Sequence, residues 1–180
     1  MNAPPSYARQ KKRELKICYD SAVSMEALAT IVILLHPLAA LAIIREFFNQ
    51  RRWRQERAKL SHEIRNEAVS RHEKLGNRIF LYVIFVICLA FVSKIIYFHI
   101  NNGEVTFSDL VPNHFHGWAG IIGLFLMIYL RQLGMKAKKN KENKKPYGKI
   151  SNLHGRVSDV MAYLIIIHAF LGFLYLFTYL

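Results

Sequence analysis

Apolar residues along this chain gather into four long blocks separated by charged stretches, and the length of the blocks decides how they are read. They cover about 27–48 ("ALATIVILLHPLAALAIIREFF"), 77–100 ("NRIFLYVIFVICLAFVSKIIYFHI"), 113–131 and 156–180. A helix needs about 20 residues to cross the hydrocarbon of a bilayer, so each block predicts one span. A soluble core is excluded because too little polar sequence remains to cover four such helices. Spanning strands would read as short alternating segments, and the blocks do not. The pattern predicts an all-α protein, an integral membrane four-helix bundle over residues 27–180, preceded by a basic N-terminal tail over 1–26.

Charge then sets the orientation. The net charge of +13 invites a nucleic-acid reading, but its distribution argues against one. Residues 49–78 carry nine Lys/Arg against four Glu, and residues 131–150 carry eight against Glu142 alone. Residues 98–114 carry no Lys or Arg, with Glu104 and Asp109 among them. Short basic loops stay on the cytoplasmic side, or the stromal side in a plastid, so both basic loops are expected there and "NNGEVTFSDLVPN" opposite. The same charge suits anionic lipid head groups, and nucleic acid is not expected as a partner. The tail disagrees: Arg9, Lys11, Lys12, Arg13 and Lys16 would lie opposite the basic loops after four crossings. Either the tail lies in the interface or the first segment does not cross fully.

Residues 49–74 read as a helix with a sparse apolar stripe of Trp53, Leu60, Ile64 and Ala68, extending the first span or lying on the membrane surface. The lysine tract 136–145 reads as a solvated, mobile loop. Cys18 and Cys88 suggest neither a disulfide framework nor a zinc site.

The candidate chemistry lies in the histidines. His72 precedes the second span and His154 the fourth, both on the basic-loop side; His116 opens the third span on the acidic side; His36 and His168 lie mid-helix. Two levels of histidine across a four-helix bundle is the arrangement that two haems, each held by a pair of axial histidines, would need. A flat ring needs small residues one turn from its ligand. His116 has Gly120 and then Gly123, His72 has Gly76, His36 has Ala39 and Ala40, His154 has Ser158, and His168 has Gly172. Helical phase removes others: His99 faces away from His72, and His114 lies about 200° from His116, with the glycine stripe selecting His116. Asp159 is about 140° round the helix from His154, so no acceptor is evident for that ring's free N–H. Lys94 would either snorkel or neutralise a haem propionate, and Arg78 and Arg156 are candidates for the same task on the basic side. Against this stands a plainer account: a single intramembrane histidine often serves only as an interhelical hydrogen-bonding group, and His168 alone fits it.

The segments "LLHPLAALAIIREFF", "SRHEKLGNRIF", "IIYFHINNG…NHFHGWAGIIGL" and "NLHGRVSDVMAYLIIIHAFLGF" resemble the four-helix core of the cytochrome b561 superfamily. They resemble more closely an uncharacterised membrane family of cyanobacteria and plastids, classed as a domain of unknown function within that group. The resemblance runs from about residue 27 to 180 and rests on the His-Pro at 36–37, "RHxxLG" at 71–76 and the histidine-to-glycine spacing at 116–120. It implies that the first helix pairs with the third and the second with the fourth. His36 and His116 would then hold a haem b toward the acidic side, and His72 and His154 a second toward the basic side. The rival assignment keeps His168 in reserve as the partner of His116, with His36 a hydrogen-bonding residue beside the Pro37 break.

The expectation is a di-haem b-type membrane cytochrome acting as a transmembrane oxidoreductase for single electrons, in a thylakoid or bacterial inner membrane. Ascorbate, a quinol or a redox protein could donate, and the chain leaves open a homodimer or a subunit of a larger complex. Two other classes remain: a chlorophyll or other pigment protein with one histidine per ring, and a non-redox assembly subunit whose histidines are packing groups. A membrane di-iron oxygenase fits poorly, because its histidines would cluster on one side.

Overall fold

The computed structural model describes residues 5–56 and 61–178; side chains at 5–9, 18, 21, 22, 26, 29, 53–56, 62, 101 and 102 fall outside that description. The chain is all-α, with no strand among the described residues. In order it forms α1 (Pro5–Glu56), α2 (His62–Asn102), a single turn α3 (Phe107–Leu110), α4 (Phe115–Glu142) and α5 (Gly148–Leu176). Within them, Val23–Arg52, Glu63–Ile100, Phe115–Glu142 and Gly148–Leu176 are each long and apolar enough to cross a membrane.

The helices outrun the apolar blocks. α1 has 52 residues, about 78 Å at about 1.5 Å per residue, against a hydrocarbon thickness of about 30 Å. Lys, Arg, Glu and Gln are good helix formers, so the charged flanks continue the helix after the apolar pattern stops. The N-terminal tail is therefore helical from Pro5 and continuous with the first span, with no break at residue 26. The lysine tract departs from expectation in the same way: α4 runs on to Glu142, carrying Lys136, Lys138, Lys139 and Lys141 with it. Lys138 is held there by Glu73 of α2 at 2.8 Å and by Glu142 at 3.9 Å. The turn into α5 comes only after Asn143, through Lys144 at φ 53°. Residues 49–74 divide between the end of α1 and the start of α2. Ala68 is buried and Ile64 is half exposed, while Trp53 and Leu60 lie outside the described side chains. Cys88 is a free, exposed thiol, and the Cys18 side chain falls outside the description.

α1 packs along α2 and α4 along α5, giving two helical hairpins. The hairpins meet with α2 against α4 and α1 against α5, so the diagonals are α1 to α4 and α2 to α5. Buried apolar side chains gather around one level, including Phe47, Ile79, Met127, Leu130, Val157 and Met161. The outward faces are the reverse of a soluble protein's: Leu38, Leu81, Phe125 and Tyr163, one on each long helix, are all more than 60% exposed. Apolar surface on that scale needs a hydrocarbon or protein neighbour.

The acidic-side connection is ordered by local bonds. Gly103, at φ 74°, stops α2 and returns its N–H to the His99 carbonyl. Asp109 accepts from both the hydroxyl and the amide of Thr106, at 2.6 and 2.9 Å, which holds its carboxyl below the usual range.

Candidate functional site

Two pairs of imidazoles face each other across the diagonals. His36 of α1 and His116 of α4 have ring centroids 6.2 Å apart at an interplanar angle of 81°. His72 of α2 and His154 of α5 repeat this at 6.1 Å and 78°. Two imidazoles bound to opposite sides of one metal ion, each at an imidazole–metal distance of about 2 Å, would have centroids about 6 Å apart. The packing of first against second and third against fourth thus coexists with an approach of first to third and second to fourth at the histidines.

Ring orientation is fixed from the neighbouring helix of the same hairpin. His36 Nδ1 lies 3.2 Å from the Val86 carbonyl, His116 Nδ1 3.0 Å from the His168 carbonyl, and His154 Nδ1 3.0 Å from the Leu130 carbonyl. A carbonyl can only accept, so each Nδ1 carries the proton and each Nε2 keeps its lone pair. This is the tautomer that a metal ligand needs, supported in the way that ligating histidines are usually supported. The acceptor for His154, not visible on its own helix, is therefore supplied by α4. His36 likewise spends its bond on α2 rather than on the backbone freed by Pro37.

Small residues one turn beyond these acceptors make the approach possible. A Cβ at Gly172 would lie 2.7 Å from His116 Cε1, and one at Gly134 3.4 Å from His154 Cε1. Those two glycines cradle the rings from the partner helix. Gly120 and Gly76 are filled by the same kind of crossing, with His168 Cε1 at 3.2 Å and Gln50 Nε2 at 3.2 Å. The space beside them is taken by a neighbouring helix's side chain.

No protein-family model, curated protein or solved structure matches the chain. The site is accordingly read from its own chemistry. Among the described residues, no group of three or more His, Cys, Asp or Glu is arranged to hold a metal ion. Each pair offers two donors, and no more.

His168 is stacked on His116 at 4.1 Å and 18°, and its Nδ1 is buried with no hydrogen-bond partner. His114 precedes the first turn of α4, yet its ring lies 5.9 Å from that of His116 at 17°, on the same side of the helix, contrary to the expectation from helical phase. As N-cap it accepts the Gly117 N–H through Nδ1 at 3.0 Å, and its ring packs on Tyr175 at 3.8 Å.

Around the basic-side pair all four long helices line a cavity of about 710 Å³ that includes His72, Gly76, Gly134 and His154. That is within the range of about 300–1,000 Å³ of cofactor and ligand sites. Arg51, Arg65, Arg131, Lys138 and Lys141 line it, and Arg131 lies over the Phe80 ring at 4.8 Å. Arg78 and Arg156 are exposed and are not among the lining residues. Lys94 donates to the Val111 carbonyl at 3.3 Å, anchoring the acidic-side loop.

One regularity ties the two levels together. On every long helix the residue serving one site stands fourteen positions from the residue serving the other. On α1 these are His36 and Gln50; on α2, His72 and Val86; on α4, His116 and Leu130; on α5, His154 and His168. Of the four, only the His154–His168 spacing is visible as a repeated residue type in the sequence.

Proposed function

We propose that this protein is an integral membrane four-helix cytochrome that binds two haems b and passes single electrons between the two sides of the membrane. The observation that carries the reading is the repetition of one geometry: two imidazole pairs, each at single-metal spacing, with Nδ1 engaged in three of the four rings. Two donors on opposite sides fill the two axial positions of a six-coordinate metal, and a planar macrocycle is the cofactor that would bring the other four ligands with it. Once bound, a bis-imidazole haem supplies a one-electron iron couple with no open position for oxygen.

The chain's own part is to hold and to insulate. His36, His116 and His154 present Nε2 lone pairs, the carbonyls of Val86, His168 and Leu130 fix the rings that donate to them, and His72 completes the second pair. The basic lining of the lower cavity offers counter-charge to carboxylates such as haem propionates. A pigment protein with one histidine per ring would not require histidines to face one another at this spacing. The test is the absorption spectrum of purified protein, oxidised and then dithionite-reduced, with a pyridine haemochrome. We expect the paired bands of low-spin b haem at about two haems per chain; a chlorin spectrum would favour pigment, and colourless protein a scaffold role.

The basic loops belong on the cytoplasmic or stromal side by their charge. With native cysteines replaced, Lys141→Cys is expected to label from that side of sealed vesicles and Glu104→Cys from the other. Labelling of both from one face would overturn the four-span topology.

A further inference from the structure

Ligation at the basic-side pair uses α2 and α5 alone, yet the other two helices each reach both of them. From α4, the Leu130 carbonyl takes the His154 N–H, and Lys138 pairs with Glu73, the residue after His72. From α1, Gln50 Nε2 donates to the His72 carbonyl at 3.0 Å, and Arg51 donates through Nε and Nη2 to Asp159 Oδ1 of α5, at 3.2 and 2.9 Å. Adjacent residues on a helix point about 100° apart, so a consecutive pair can address two different neighbours. Gly76 admits the Gln50 amide against the α2 backbone, and Gln50 Oε1 is buried without a partner. Among the described residues, the one hydrogen bond fixing that amide is therefore the bond to the His72 carbonyl.

We infer that Gln50 and Arg51 form a clamp on α1 that sets the separation between the helices bearing His72 and His154, with both acting as positioning residues. The inference rests on the reading of those histidines as an axial pair. The Arg51–Asp159 side chains are 32% and 45% exposed, and ion pairs that open to solvent add little to stability. Their consequence is geometric. A ligand constellation must be held within about 0.5 Å of its working geometry, and long helices joined only by apolar contacts can slide past one another. A charge-assisted contact from α1 to α5, one residue from an amide bond to α2, removes that freedom at the level of the two rings.

The test uses the full chain with Cys18 and Cys88 replaced by Ser, and spin labels at Lys74→Cys on α2 and Asn152→Cys on α5. Arg51→Met is expected to widen the label-to-label distance distribution, and the swap Arg51→Asp with Asp159→Arg to narrow it again. In the unlabelled protein, Arg51→Met should convert the basic-side haem from low-spin toward high-spin while the acidic-side haem keeps its spectrum; a merely structural role would disturb both alike. Gln50→Leu should act in the same direction. If Arg51→Met does not accumulate, Asp159→Asn breaks the same contact from the other side. An unchanged distance distribution, or a widening that the swap fails to reverse, overturns the clamp. Wild-type protein without haem would defeat the proposed function and leave the distance measurement to decide this inference alone.

Discussion

Replacement of His72 or of His154 by Ala is expected to remove about half of the bound haem and to leave the rest with an unaltered low-spin spectrum. Each haem needs both axial rings to stay six-coordinate and low-spin. The two rings at this level come from different hairpins, so neither can substitute for the other. His154→Ala also removes the donor to the Leu130 carbonyl, a loss of about 1 kcal/mol. That is too small to unfold a bundle whose other seams are intact. The acidic-side pair is carried by α1 and α4, so its haem should persist. The haem-to-protein ratio by pyridine haemochrome is the measurement, and full retention in both variants would rule out the pair. A complete loss in either would show instead that the two sites assemble together.

His36→Ala should lower the same ratio to about half, whereas His168→Ala should leave it near the wild-type value. The difference follows from the angles. His36 and His116 have ring planes nearly perpendicular at a centroid separation of 6.2 Å, the separation that two in-plane lone pairs sharing one ion would need. His168 lies almost parallel to His116 at 4.1 Å, and stacked rings aim their lone pairs side by side rather than toward a common point. The His168 backbone carbonyl, which orients His116, is unaffected by changing its side chain. The expected residual effect of His168→Ala is a loosened His116, read as a shifted midpoint potential without loss of cofactor. A fall in haem for His168 alone would mean that the ligand assignment on the acidic side is wrong.

Part of this arrangement was legible in the order and spacing of residues. The four apolar blocks predicted the four long helices. Helical phase did not separate His114 from His116, because His114 is an extended N-cap outside the helix and its ring lies 5.9 Å from that of His116. What the apolar pattern could not report was where the helices end, because Lys, Glu and Arg sustain a helix as well as leucine does. That is why the lysine tract and the N-terminal tail extend α4 and α1. The glycines were read along their own helix, as space beside His116 and His72. They act across the seam instead, where Gly120 meets His168, Gly172 meets His116 and Gly76 meets Gln50. Backbone acceptors such as Val86 and Leu130 carry no residue-type signal at all, since every residue has a carbonyl. Gln50 and Arg51 were hidden for a different reason: in a charged linker they resemble their neighbours, and only the crossing of α1 with α2 and α5 distinguishes them.

The fourteen-residue interval has a consequence for how this protein can vary. Fourteen residues are two heptads, a rise of about 21 Å with nearly the same facing at both ends. One residue inserted between His116 and Leu130 would turn everything beyond it by about 100° and advance it about 1.5 Å, so α4 could serve one level or the other but not both. Length changes are therefore expected to be tolerated only in the turns and the projecting helix ends, while the four segments between the levels act as rulers that must be altered together or left alone.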